Sequence, residues 1–180
     1  MVLVLPGNAG IPNSYPDVNP LDFEAVRAFA QAHGAKLIVV GPEAPLAAGI
    51  TDFFAGSGIQ VFGPTRLAAQ LESSKVWSKD FMRRHGVATG QAWVFRSDNV
   101  AAARAKAAEL GGHVVVKYDG LAAGKGVVVA ATVEEAEAAI DLIMQAHAFG
   151  DSGHTVVIEE FMPGEEVSLF ALCDGTDAVF

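Results

Sequence analysis

Two valine runs separated by a glycine-rich turn constrain this chain more than any other segment. Residues 114–117 read Val-Val-Val-Lys, residues 118–126 Tyr-Asp-Gly-Leu-Ala-Ala-Gly-Lys-Gly, and residues 127–130 Val-Val-Val-Ala. Short runs of β-branched residues suit buried strands. The turn therefore joins two antiparallel strands as a flap, and Lys117 sits where the sheet gives way to a cavity. Gly120, Gly124 and Gly126 let the backbone approach a ligand closely and aim N–H groups at it, with Lys125 among them, a layout that cradles phosphate. A Walker-type P-loop does not fit. The spacing from Gly120 to Gly124-Lys125 is one residue short, Gly126 stands where Ser or Thr is required, and a strand follows where a helix should open. A plain glycine-containing hairpin with surface lysines also satisfies the segment.

The chain has 180 residues, 51% of them hydrophobic, enough to bury a core in one large or two small domains. Lys and Arg total 12 against 21 Asp and Glu, a net charge of −9 that opposes non-specific binding to nucleic acid or an anionic membrane. Any anion binding must then come from a few local lysines. Cys173 is the only cysteine. That excludes a disulfide framework and a cysteine metal site, accords with a reducing cytoplasm, and reads as a buried strand residue in Leu-Phe-Ala-Leu-Cys rather than a nucleophile. No apolar stretch reaches the ~18 residues of a membrane-spanning helix. Met1 to Leu5 has neither the basic region nor the cleavage site of a signal peptide.

The order of elements predicts two units. Residues 2–5 read as a buried strand, Asp22 caps a helix to about 33, residues 36–40 and 59–62 read as further strands, and a helix spans roughly 46–56. Repeated βα units imply a parallel sheet, whose ligands bind beyond the C-terminal ends of the strands, where Pro6-Gly7-Asn8 and Gly41-Pro42-Glu43 fall. An all-apolar first strand should be internal, which implies missing sequence before it. From Ser73 the pattern changes. Helices are predicted at about 66–71 and 74–85, a strand at 91–95, a helix capped by Asp98 to about 110, strands at 113–118 and 126–130, a Thr132-capped helix over 133–146 with Glu135 in a capping box, and strands at 155–160 and 167–173. This β-α-β-β-α-β order is an α+β unit that could close over a ligand as a lid.

Seven segments then carry a family resemblance. They are Pro6-Gly7-Asn8-Ala9-Gly10, Gly41-Pro42-Glu43-Ala44-Pro45-Leu46, Phe62-Gly63-Pro64-Thr65, Gln70-Leu71-Glu72-Ser73-Ser74-Lys75, the stretch from Lys117 to Val127, Ala148-Phe149-Gly150, and Glu159-Glu160-Phe161-Met162-Pro163-Gly164-Glu165-Glu166. Together, and in order, they resemble the phosphoribosylamine-glycine ligase (glycinamide ribonucleotide synthetase) family, ATP-grasp enzymes of purine synthesis. The family usually carries Ala where Tyr118 stands, a departure that leaves both lysines intact.

The resemblance implies an α/β chain: a partial parallel-sheet pre-ATP-grasp domain over 1–72, followed by the α+β first part of an ATP-grasp domain over 73–180, with a lid at about 92–163. It implies ATP as cofactor, with Lys75 and Lys117 reaching its phosphates from opposite sides and Lys125, Gly124 and Gly126 forming the flap. Glu159, Glu160, Phe161 and Met162 would lie along adenine, Glu166 would accept the ribose hydroxyls, and Asn8 and Glu43 would face phosphoribosylamine. Read without the resemblance, Lys75 is a solvated helix charge, the Glu159-Glu160 pair is solvated surface, and Asn8 is a turn residue. The five histidines show no metal-ligand spacing. By the same resemblance, the ligands for Mg²⁺ or Mn²⁺ lie beyond Phe180, an opening Gly-Gly-Arg-Glu-His-Ala loop is missing, and less than half of a cytoplasmic, monomeric enzyme is present. Its partners would be ATP, glycine and 5-phosphoribosylamine. Two alternatives stay open: another ATP-grasp ligase, biotin-carboxylase-like or formate-using, and a nucleotide-binding module without catalysis.

Overall fold

A computed structural model describes residues 1–122, 125–145 and 155–180. Gly124, Ala146, the Ala148-Phe149-Gly150 motif, His147 and His154 lie outside the described residues.

The first unit is a small βαβ layer. Helix α1 (Phe23–Ala32) starts at Asp22, whose carboxylate accepts the Ala25 N–H at 3.0 Å, the cap the sequence predicts. Strands β1 (Leu37–Val39) and β2 (Gln60–Phe62) pair in parallel, with α2 (Glu43–Ala48) and α3 (Ile50–Phe53) between them in sequence. Val26, Leu46, Ile50, Phe54 and Ala69 close the core, with Ile38 and Val61 packed against it. Helix α2 begins at Glu43, earlier than predicted. Pro45 had suggested a loop, but it occupies the first helical turn, where an N–H has no intrahelical acceptor to lose. Residues 2–5 do not form the predicted strand. Val4 makes an isolated parallel bridge to Ser14, and Met1 and Val2 are exposed. An apolar segment becomes a strand only where a neighbour pairs its backbone, and the described residues offer it only the loop at 13–15.

Helix α4 (Gln70–Ser73) is shorter than predicted, and Ser74 separates it from α5 (Lys75–His85), capping the latter through its hydroxyl, which accepts the Trp77 N–H at 3.1 Å. The second unit then follows the predicted order: β3 (Ala92–Phe95), α6 (Val100–Glu109), β4 (Val114–Tyr118), β5 (Val127–Ala130), α7 (Val133–Met144) and β6 (Val156–Glu160). Its sheet runs β3-β6-β4-β5 with every neighbouring pair antiparallel, so the glycine turn does join two antiparallel strands. Helices α6 and α7 cover one face. Ala103 and Ala107 are buried against it, and the small side chains let α6 pack closely while Arg104 reaches Asp141 of α7 at 2.6 Å. The Thr132 capping box forms, its hydroxyl accepting the Glu135 N–H at 3.2 Å and Glu135 reaching back to the Ala131 N–H at 2.8 Å.

Two details differ. Asp98 caps nothing; a 3₁₀ turn (Ser97–Asn99) precedes α6, and the Asp98 carboxylate accepts the Asn99 side-chain amide instead. The predicted strand at 167–173 shrinks to β7 (Leu172–Cys173), paired only with β8 (Ala178–Val179), and Cys173 is exposed rather than buried. Among the described residues nothing covers this hairpin, so alternation has no second layer to act on. No helix among them is long and apolar enough to cross a membrane.

The exposed stretch predicts behaviour in solution. Val167, Leu169, Phe170, Leu172, Val179 and Phe180 all face solvent, an apolar patch of the kind that drives association. The chain should self-associate at micromolar concentration in light scattering, and Leu169→Ser with Phe170→Ser should shift it toward monomer. A monomeric wild type would refute this. Acid stability offers a second check. Asp80 lies below the usual carboxylate range because Arg83 and then Arg84 donate to it, each at 2.7 Å. A depressed folded pKa contributes stability above the unfolded value and loses it as pH falls through the folded one. Asp80→Asn should therefore lower the melting temperature slightly at neutral pH and leave it unchanged at a pH below both values; an equal drop at both would exclude this ion cluster as the cause.

Candidate functional site

Alternation along β4 sends Val114, Val116 and Tyr118 into the layer beneath α6 and α7 and turns Lys117 to the opposite face. In the antiparallel pairing with β6, Val115 faces Glu159 and Lys117 faces Val157, so Lys117 and Glu159 are diagonal neighbours on that open face. Their side chains meet at 2.9 Å. Helix α5 supplies the other wall. Lys75 and Lys79 stand one turn apart on it, and Lys79 reaches the second Glu159 oxygen at 2.9 Å. The resulting cleft, about 360 Å³, is lined by these four charged residues together with Glu72, Ser78, Thr89 and the apolar Leu71, Met82 and Met162. Glu159 is buried, not the solvated surface carboxylate that its strand-end position alone suggested.

The glycine turn is fastened to the same helix. Lys75 Nζ donates to the Gly120 carbonyl at 3.0 Å, while the neighbouring Asp119 carboxylate accepts the Val76 N–H at 3.1 Å and the Ser74 hydroxyl at 3.2 Å. A carboxylate at a helix N-terminus is favoured by the exposed N–H groups and the helix dipole. The sequence assigns Gly120 and Gly126 to ligand approach; here Gly120 makes room for the Tyr118 ring, and Gly126 for the Ala122 and Tyr118 Cβ atoms. A Cβ on Gly120, whose φ is +148°, would lie 2.7 Å from Tyr118 Cε1, and one on Gly126 would lie 3.0 Å from Tyr118 Cβ. Gly126 is buried and its carbonyl accepts the Tyr118 N–H at 2.7 Å, whereas Lys125 is exposed at the turn.

The remaining predicted site residues scatter. Glu160 turns away from Glu159, as strand alternation requires, and accepts the Gln91 N–H at 2.8 Å. Phe161 stacks on His113 with ring centroids 4.0 Å apart. Glu166 is exposed beyond Gly164 and does not line the cleft. Asn8 lines a separate depression with Asn13, Ser14 and Tyr15, its side-chain oxygen accepting the Gly10 N–H at 2.9 Å. Glu43, exposed at the start of α2, is not part of that depression. Sequence reasoning missed Lys79, Asp119 and Thr89. The first was legible in its i+4 spacing from Lys75 and the second in its i+2 spacing from Lys117, but Thr89 sits in a loop that gives no signal.

Residues 1–72 match the N domain of phosphoribosylglycinamide synthetase, and residues 73–180 match its ATP-grasp (A) domain. The chain belongs to the phosphoribosylglycinamide synthetase family. It is 51% identical to a phosphoribosylamine–glycine ligase of Ralstonia nicotianae and 45% identical to one of Yersinia pestis, in each case over 99% of this chain and 42% of the relative's length. Among solved structures it resembles a phosphoribosylamine–glycine ligase of Thermotoga maritima at 34% identity, with a TM-score of 0.64 over 79% of this chain and 34% of that one. It also resembles a biotin carboxylase–β-γ-ATP complex of Campylobacter jejuni at 26% identity, with a TM-score of 0.65 over 87% of this chain and 34% of that one. The chain thus spans about 42% of the length of its curated synthetase relatives.

In this synthetase-family chain Asp119 ties the turn to the helix, so Asp119→Ala should cost about 1–2 kcal/mol of stability in urea unfolding, the magnitude of a lost helix cap. An unchanged midpoint would mean that Ser74 caps α5 without help.

Proposed function

We propose that this chain is the nucleotide-binding portion of an ATP-dependent ligase that joins glycine to 5-phosphoribosylamine, giving glycinamide ribonucleotide, ADP and phosphate in purine synthesis. The observation that carries the reading is the convergence of Lys75 and Lys117, from two separate elements, on one cleft beside a glycine turn. Two ammonium groups in a partly desolvated cleft attract a polyphosphate more strongly than the same charges in water. Family membership and identity to the Ralstonia ligase support this substrate set over the biotin-carboxylase alternative.

In the whole enzyme the glycine carboxylate attacks the γ-phosphorus of ATP, the bond to the β-bridging oxygen breaks, and glycyl phosphate and ADP form. The amine of phosphoribosylamine then attacks the acyl carbon, phosphate departs, and the nitrogen loses a proton. The part we assign to this chain is electrostatic: the lysines offset charge on the phosphates and the flap excludes water from the acyl phosphate. In our reading residues 1–72 hold part of the amine substrate through Asn8 and Glu43, and residues 73–180 hold ATP, with a lid at about 92–163. Lys125, Gly124 and Gly126 belong to the flap, the Glu159-Glu160-Phe161-Met162 connector lies along adenine, and Glu166 meets the ribose. Such a ligase uses Mg²⁺ or Mn²⁺. Among the described residues no group of three His, Cys, Asp or Glu could hold a metal ion. No step assigned to this chain runs through the ion. A cytoplasmic, monomeric enzyme completes the reading.

Calorimetric titration tests the nucleotide site. The chain should bind ATP, and Lys75→Ala and Lys117→Ala should each weaken binding by about ten- to a hundredfold, the worth of one charge-assisted contact. Lys106→Ala is the control, since Lys106 pairs with Glu109 and lies over Trp93, away from the cleft. Equal losses at all three would show that the pocket is misplaced. For the reaction, this chain should replace the matching part of the Ralstonia ligase and give a hybrid that releases ADP only with glycine and phosphoribosylamine present. A folded, ATP-binding but inactive hybrid would count against the ligase reading.

A further inference from the structure

We infer that Lys79 is a positioning residue for the polyphosphate: it neutralises the buried Glu159 carboxylate so that Lys117 keeps its donors for the ligand. The inference rests on the nucleotide reading above and assigns a role to a residue that reading does not use.

Donor counting carries the argument. An ammonium group has three N–H donors. Lys79 spends all three on fixed acceptors, at 2.9 Å on Glu159 Oε2, 2.8 Å on Thr89 Oγ1 and 3.0 Å on the Gly90 carbonyl. It has nothing left to offer a ligand. Lys117 has one partner among the described residues, Glu159 Oε1 at 2.9 Å, and keeps two donors for the cleft. Exposure follows the same division: the Lys79 side chain is 16% exposed, that of Lys117 26%, and that of Glu159 only 6%. Two lysines that look alike in sequence therefore differ in kind, one a fixed counter-charge and the other a free donor.

The charge balance explains why the fixed one is needed. A buried carboxylate beside a single lysine forms a neutral pair, and that lysine would have to abandon a desolvated partner to meet a phosphate. With Lys79 holding the other oxygen, the three groups carry a net charge of +1 and Lys117 can turn toward an anion without leaving Glu159 uncompensated. Removing Lys79 should lock Lys117 onto Glu159. Removing the Glu159 charge as well should release it.

The test is a rescue experiment on the intact chain, titrated by calorimetry with ATP, inorganic triphosphate and adenosine. Lys79→Met should weaken ATP and triphosphate by at least about tenfold, as loss of one member of a buried charge cluster does, while adenosine binding is unchanged. Adding Glu159→Gln should restore triphosphate, which has no adenine to meet the connector, to within about threefold of wild type. A purely structural lysine would lower affinity for all three probes, and the second substitution would restore none. Wild-type-like triphosphate binding by Lys79→Met, or no rescue in the double variant, overturns the inference while leaving the nucleotide reading intact. Should Lys79→Met fail to fold, the double variant decides: folded with recovered binding supports the inference, and unfolded or non-binding overturns it. A wild-type chain that does not bind ATP removes the nucleotide reading and the inference together.

Discussion

One buried carboxylate sets the geometry of the cleft. Glu159 lies on an inner strand of the sheet, where the backbone is paired on both sides and cannot shift to relieve it, and both of its oxygens are occupied by ammonium groups. A carboxylate so placed is costly unless compensated, so the two lysines are held where it needs them. One arrives from β4 by strand register and the other from α5 by helical periodicity. The cleft is the space those two approaches leave.

The second fastening is between turn and helix. Asp119 and Gly120 close the end of β4 onto the N-terminus of α5 through Ser74, Lys75 and Val76, so the strand that aims Lys117 also aims Lys75, through the residues at its end. Tyr118 lies between Lys117 and Asp119 in sequence and faces the other way from Lys117, its ring filling the space that Gly120 leaves open. The end of β4 and the residue after it thus deliver three consecutive residues to three tasks: a cation in the cleft, a ring beneath the turn, and an anion on the helix. Alternation alone separates the first two.

The α+β unit from β3 to β6 was legible in sequence because its signals are local and strong. Three valines, a glycine turn and a valine run determine a hairpin whatever surrounds them, and Thr132 with Glu135 starts a helix by bonds within one turn. Lys75, Lys117 and Glu159 could be named as a set only through resemblance, since their grouping depends on pairing between β4 and β6, separated by the whole of α7. Lys79 was passed over for the same reason: a lysine on a helix with other basic residues reads as solvated until a buried acid is found opposite it.

The failures share one cause. Met1 to Leu5 and Val167 to Cys173 have the composition of strands, yet the first forms only an isolated bridge and the second only the two-residue β7, because composition sets a preference while pairing needs a neighbour. Asp98 has the chemistry of a cap, yet the chain inserts a 3₁₀ turn first. By itself the sequence determined the local elements: where backbone hydrogen bonds close within a few residues, the hairpin and the capped helices follow from side-chain type. Tertiary structure alone decided which oxygen of Glu159 each lysine takes and which lysine retains free donors. Those outcomes depend on burial and on register between distant strands, and neither is a property of any short segment.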